Sequence, residues 1–154
     1  MKAVLQRINT AEVFADGEFS GKAGEGLFIL LGVEQGDDRT DALLLAEKIS
    51  KLRIFCDEND KMNLSVKDID GEVLVVSNFT LSANYSHGNR PDFFNAAKPD
   101  EANCLYEYFV SLMKERVRHV ATGVFGASML INASLCGPVT IVMESAKLRK
   151  GKDQ

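Results

Sequence analysis

The chain has 154 residues, of which 45% are hydrophobic, 26% charged and 8% aromatic, with no Trp, three Pro and three Cys. That balance describes one compact soluble domain over 1–154 and excludes a disordered, collagen-like or disulfide-stapled chain. Eighteen basic against 22 acidic residues leave a formal charge of −4, which argues against a protein that coats nucleic acid by bulk electrostatics.

Cys56, Cys104 and Cys136 lie far apart and outside any Cys-x-x-Cys pair, the usage of free thiols in a reducing compartment, so a cytoplasmic location is expected. The first residues include Lys2, Arg7, Glu12, Asp16 and Glu18 and resemble neither a signal peptide nor an anchor. The longest apolar run, Leu27 to Val33, is well short of the ~20 residues a spanning helix needs. No membrane contact is expected. Asn-x-Ser/Thr triplets at Asn63, Asn78, Asn84 and Asn132 read as chance without secretion.

In chain order, Lys2–Ile8 and Ala11–Ala15 are short apolar runs, and Asp16-Gly17 signals a tight hairpin into Glu18–Lys22. Gly26–Val33 is nearly all apolar, as a strand covered on both faces would be. Gly36-Asp37-Asp38 predicts a turn and helix N-cap, followed by Ala42, Leu45, Ala46, Ile49 and Leu52 at helical spacing. Arg53–Cys56 reads as a short strand, Asp57–Lys61 as a turn, Glu72–Leu81 as a second buried strand, and Ser82–Pro99 as a long polar segment. A second helix starts at Pro99, with Asp100 as expected N-cap and Ala102, Leu105, Phe109, Leu112 and Met113 as its apolar stripe. Its end is basic at Lys114, Arg116 and Arg118, which suits the helix dipole. Val120–Phe125, Ser128–Leu135 and Val139–Ser145 have strand composition and are divided by Gly126 and Gly137-Pro138. The order predicts a mixed α/β fold with two helices on one side of the sheet structure. The tail from 145 to 154, carrying Lys147, Arg149, Lys150 and Lys152, reads as frayed, with a weak phosphate contact as its functional alternative.

No nucleophile elbow, phosphate loop, dinucleotide fingerprint or metal-spaced His pair occurs. No metal or cofactor is expected. His87 and His119 read as loop or surface residues, and Gly21, Gly24 and Gly26 as turn residues, since no helix follows them. Two segments are chemically unusual. In Ser77-Asn78-Phe79-Thr80-Leu81 an apolar strand turns polar at its C-terminal end, where ligands often meet a sheet edge. In Leu135-Cys136-Gly137-Pro138-Val139-Thr140 a Gly-Pro pair interrupts two β-prone runs, which forces a turn that can include a cis peptide; its ordinary reading is a plain hairpin.

Along almost its whole length the chain resembles the D-aminoacyl-tRNA deacylases, also called D-tyrosyl-tRNA deacylases. The resemblance is carried by Val4-Leu5-Gln6-Arg7, Gly26-Leu27 to Leu31-Gly32-Val33, Arg53-Ile54-Phe55, Lys61-Met62-Asn63-Leu64 and Val75-Val76-Ser77 leading into Phe79-Thr80-Leu81. It continues through Arg90-Pro91-x-Phe93, Leu105-Tyr106, Thr122-Gly123-x-Phe125-Gly126-Ala127-x-Met129 and Gly137-Pro138-Val139-Thr140.

The resemblance implies a three-layer β/β/α fold with two sheets, and a homodimeric enzyme. Its implied reaction hydrolyses the ester joining a D-amino acid, or glycine mischarged on tRNA-Ala, to the terminal ribose of tRNA. Ser77, Phe79 and Thr80 would be catalytic, and Asn78, Met129, Gly137, Pro138 and Arg7 would bind substrate. Gly137-Pro138 would act, with a cis peptide, in the partner subunit's site, braced by Arg7. The expected partners are aminoacyl-tRNA and a second copy of the chain, with no DNA. Lys114, Arg116, Arg118 and the tail are candidate tRNA contacts. Two departures stand out: the family usually has Gln where this chain has Asn78, and Asn where it has Leu135. They leave room for a relaxed-chirality paralogue or a tRNA binder without activity.

Overall fold

The computed structural model describes residues 1–150. Strand β1 is Lys2–Ala15, β2 is Glu18–Ala23 and β3 is Gly26–Gly32. Between β1 and β2, Asp16 and Gly17 have φ of 50° and 86°, the left-handed pair that lets a two-residue turn follow the strand twist. The sequence divides β1 near Asn9-Thr10, yet it is one 14-residue strand. Strand β8, Met129–Glu144, pairs with it from Lys2 to Ala15 and carries it across the polar dipeptide. The other edge of β1 is shared, by β3 over Lys2–Ile8 and by β2 over Ala11–Ala15.

Helix α1 is Arg39–Lys51, β4 and β5 are Phe55–Cys56 and Met62–Leu64, and β6 is Glu72–Ser77. Helix α2 is Pro99–Lys114, β7 is His119–Thr122 and α3 is Ser145–Lys150. The main sheet runs β2-β1-β3-β6-β7 with β8 on β1, and β4–β5 form a separate ribbon. Strands β3, β6 and β7 are mutually parallel.

Both faces of β3 and β6 are covered, which explains their unbroken apolar sequences. Leu27, Ile29, Leu31, Val73 and Val75 pack with Leu45, Ala46, Ile49, Phe109 and Met113 of the helices. Phe28, Leu74 and Val76 point the other way, onto Ile8, Ala11, Val13 and Ala23 of the folded-over β1–β2 hairpin. Ser20 Oγ of β2 donates to Thr122 O of β7 at 2.9 Å, pinning that hairpin across the sheet. The result is the mixed α/β fold in β/β/α layers.

The structure corrects further local expectations, Gly21 among them, which lies within strand β2 and not in a turn. The strand expected to reach Leu81 stops at Ser77, and Phe79–Ser82 is a 3-10 turn. Gly137-Pro138 is no hairpin: β8 continues through it, because β1 supplies partners on both sides. The N-cap of α2 is Lys98, not Asp100, because Pro99 takes the first helical position, where its missing N–H costs nothing. The tail is not frayed over Ser145–Lys150, which is helical. Arg149 anchors it by donating to Asp41 Oδ1 and Oδ2 at 2.9 and 2.8 Å and to Asp38 Oδ1 at 2.6 Å. Lys152 lies outside the described residues.

Candidate active site

At the C-terminal end of β6 the chain leaves the sheet through Asn78. Its N–H donates to Leu31 O at 2.8 Å, while its side chain reaches forward to cap the 3-10 turn. Asn78 Oδ1 accepts from Thr80 N–H at 3.2 Å and also from the Thr80 hydroxyl. The shorter amide thus has a defined local task. Close approach of this turn to β3 requires Gly32, where an added Cβ would meet Asn78 O at 3.0 Å.

A cavity of about 730 Å³ opens beside this turn. Ser77, Asn78, Phe79 and Met129 line it, as do Phe93, Tyr106 and Phe125. Phe79 is 59% exposed and meets Phe93 edge to face, with ring centroids 5.0 Å apart. Tyr106 donates to Val75 O at 2.9 Å, and burial pushes its phenol up to about 12, so it stays neutral and serves as wall. Thr80 does not line the cavity, and no hydrogen bond of the described residues uses the Phe79 N–H. The N–H of this cavity-lining residue is thus without a partner among the described residues.

Arg7, Gly137 and Pro138 form a second cluster, outside this cavity. The β1–β8 ladder skips Arg7, passing from Gln6↔Thr140 to Ile8↔Leu135, so residues 136–139 bulge out opposite it. Arg7 Nε donates to Cys136 O at 3.3 Å and Arg7 Nη1 to Ile54 O at 2.8 Å. The Gly137–Pro138 peptide is cis, and Gly137 has φ of 123°. A Cβ there would lie 2.9 Å from the backbone Val139 N, and the positive φ is one that L side chains rarely adopt, so the position favours glycine. Leu135, 47% exposed, is among the exposed apolar residues of β8 together with Leu130 and Val142.

Five of the eight residues singled out are therefore gathered at the cavity or its adjoining turn, and three sit apart on the β1–β8 bulge. Tyr106, Phe93 and Phe125 were not singled out as site residues. Their signal is present in the family motifs, but Tyr106, at apolar spacing on α2, reads first as core, and Phe93 and Phe125 reach the cavity from separate loops. His87 and His119 are exposed and line no part of the cavity. Among the described residues no group of three or more His, Cys, Asp and Glu is placed to hold a metal, and no helix is long and apolar enough to cross a membrane. Of the basic residues at the end of α2, Arg116 donates to Leu112 O at 2.8 Å, and Arg118 pairs with Asp70 at 3.2 Å with both side chains about 70% exposed.

Residues 4–144 match the sequence model of the D-Tyr-tRNA(Tyr) deacylase family. The chain belongs to that family. A protein of Geobacter metallireducens named D-aminoacyl-tRNA deacylase is 50% identical over 151 residues, covering 98% of this chain and all of that one. A Pelobacter propionicus protein of the same name is 49% identical over 144 residues, 94% of this chain and 99% of that one. Among solved structures, one titled c-Myc DNA Unwinding Element Binding Protein superposes with a TM-score of 0.88 at 37% identity, covering 94% of this chain and 98% of that one. Another, titled as a probable eukaryotic D-amino acid tRNA deacylase, has a TM-score of 0.75 at 15% identity over 92% of this chain and 97% of its own, a likeness of fold alone.

Proposed function

We propose that this chain is a D-aminoacyl-tRNA deacylase: it hydrolyses the ester between a D-amino acid and the terminal ribose of tRNA, and accepts glycyl-tRNA-Ala as well. One observation carries the reading, the cavity at Ser77–Phe79 in a chain half identical over nearly its whole length to proteins of that name. Water adds to the ester carbonyl carbon, and the charge arising on the carbonyl oxygen is met by the Phe79 N–H. Collapse breaks the carbon–oxygen bond to the ribose, whose oxygen takes up a proton. The neighbouring 2′-hydroxyl is close enough to assist. Preorganised donors of this kind contribute several kcal/mol in acyl-transfer sites, about 3 to 4 for one donor. The Thr80 hydroxyl donates to Asn78 and has no activating base, which favours water over Thr80 as nucleophile.

The Gly137-Pro138 bulge works in the partner's cavity, in a homodimer. Supporting this, the bulge residues are not among those lining the cavity of their own chain, and β8 presents exposed Leu130, Leu135 and Val142. A rigid bulge placed where an L side chain would project excludes it, while glycine has nothing to exclude. The reaction uses charged tRNA, and the expected location is the cytoplasm.

Two variants test the roles at the turn. Asn78→Ala is expected to lower kcat about fivefold to tenfold, about 1 to 1.4 kcal/mol of activation free energy, with the fold retained. Thr80→Val is expected to stay within about threefold; a loss of about 10⁴ or more would make its hydroxyl the nucleophile.

A further inference from the structure

Beyond the cavity, the segment after the 3-10 turn forms a small hairpin that the reaction does not use. Asn84 and Asp92 exchange both backbone hydrogen bonds at 2.9 Å, and Asn84 Nδ2 donates to Asp92 Oδ2 at 3.0 Å. Phe93 turns inward to Phe79 and the cavity. Phe94 turns outward on a fixed backbone, its carbonyl accepting from Gln35 Nε2 and its N–H donating to Asp92 Oδ1 at 3.3 Å. Tyr85 and Phe94 are each 80% exposed, more than any other large apolar side chain. Arg90 and Lys98 are exposed nearby in sequence and make no ion pair among the described residues, and Lys98 lines the cavity.

Two exposed rings on a segment that continues through Phe93 into the cavity wall, with cations at Arg90 and Lys98 in the same segment, match what binds unpaired nucleotides. Bases stack on exposed rings without regard to sequence while the cations meet phosphates. We infer that the Asn84–Asp92 hairpin, with Phe94, holds the single-stranded 3′ end of the RNA, stacking Tyr85 and Phe94 on the nucleotides before the aminoacylated adenosine. The inference rests on the proposed function for its substrate. Continuity through Phe93 into the cavity selects this occupant over a second copy of the chain. The hairpin would then supply affinity for tRNA, and the cavity would read the aminoacyl group.

The test compares Tyr85→Ala and Phe94→Ala on full-length D-tyrosyl-tRNA and on 3′-O-D-tyrosyl-adenosine, which lacks the preceding nucleotides. Each variant is expected to raise KM on tRNA about tenfold, within the range of one lost base–aromatic stack, with kcat unchanged. Neither should alter cleavage of the adenosine ester, and Tyr85→Phe should behave as the parent. A parallel arm measures anisotropy of a short labelled single-stranded RNA ending in CCA, where Arg90→Gln should lower the salt slope by about one. Equal loss on both substrates, no change in either RNA readout, or loss of the dimer in sedimentation would overturn the inference. If the parent protein cleaves neither ester, the proposed function fails, and the RNA-binding arm still decides the role of the hairpin.

Discussion

Pro138→Ala is expected to admit L-aminoacyl-tRNA while leaving D-aminoacyl hydrolysis within about threefold. A ten-thousandfold preference corresponds to about 5.5 kcal/mol, and steric exclusion reaches such values more readily than attraction between mirror-related groups does. Exclusion needs a wall that does not yield. In the proposed mechanism the wall is a four-residue interruption of the β1–β8 ladder opposite Arg7, with one carbonyl held by the Arg7 guanidinium and the proline ring fixing its own φ. Removing the ring shrinks the wall and frees its backbone together. The D over L ratio is expected to fall about a hundredfold, or about 2.7 kcal/mol. Initial rates on matched D- and L-tyrosyl-tRNA read it directly, and an unchanged ratio would remove Pro138 from chirality selection.

A loss of stability is expected from Asp41→Ala. Asp41 is 4% exposed and closes a reciprocal capping box with Asp38, its carboxylate accepting from Asp38 N–H at 2.9 Å. The same carboxylate takes both donors from Arg149, which ties α3 to the start of α1. Truncation removes the cap interaction and unpairs the cation. Because Arg149 is 43% exposed, it rehydrates, and the cost is about 2 to 3 kcal/mol instead of the larger penalty for a sealed pair. For a chain of this size that is a fall of roughly 4 to 12 °C in Tm.

The pH dependence has a definite sign. Burial alone would raise the Asp41 carboxyl, but hydrogen bonds from Arg149, Asp38 and Ser145 outweigh it and hold the group well below the usual carboxylate range. A depressed folded-state value adds stability above the unfolded value of about 3.9, which is lost as pH falls below it. The Tm gap between the parent and Asp41→Asn should therefore be constant near neutrality and narrow only below about pH 4. A gap that narrows on the alkaline side would contradict the assignment.

What the sequence made legible was local. Asp16-Gly17 predicts a turn that forms, Asp38 an N-cap that forms, and the apolar runs in β3 and β6 predict strands covered on both faces, because each signal lies within a few residues of its effect. The errors arise where distant chain decides. Asn9-Thr10 and Gly137-Pro138 look like breaks, and each is bridged by the other strand of the β1–β8 pair, more than a hundred residues away. Arg149 reads as part of a loose basic tail, since nothing nearby announces carboxylates 108 residues earlier. At the candidate site, the polar end of β6 was visible as a change of composition. The aromatic walls stand in the family motifs, but Tyr106 at helical apolar spacing reads first as core, and only the fold brings Phe93 and Phe125 to the same cavity.

The central claim is tested most directly by the hydrolysis rates of D-tyrosyl-, L-tyrosyl- and glycyl-tRNA with the purified protein. Cleavage of the D and glycyl esters, with L-tyrosyl-tRNA spared, is the predicted result and would show that Asn78 and Leu135 are compatible with chirality selection. Equal cleavage of all three esters would contradict exclusion by the Gly137-Pro138 bulge, and cleavage of none would contradict the deacylase reading itself.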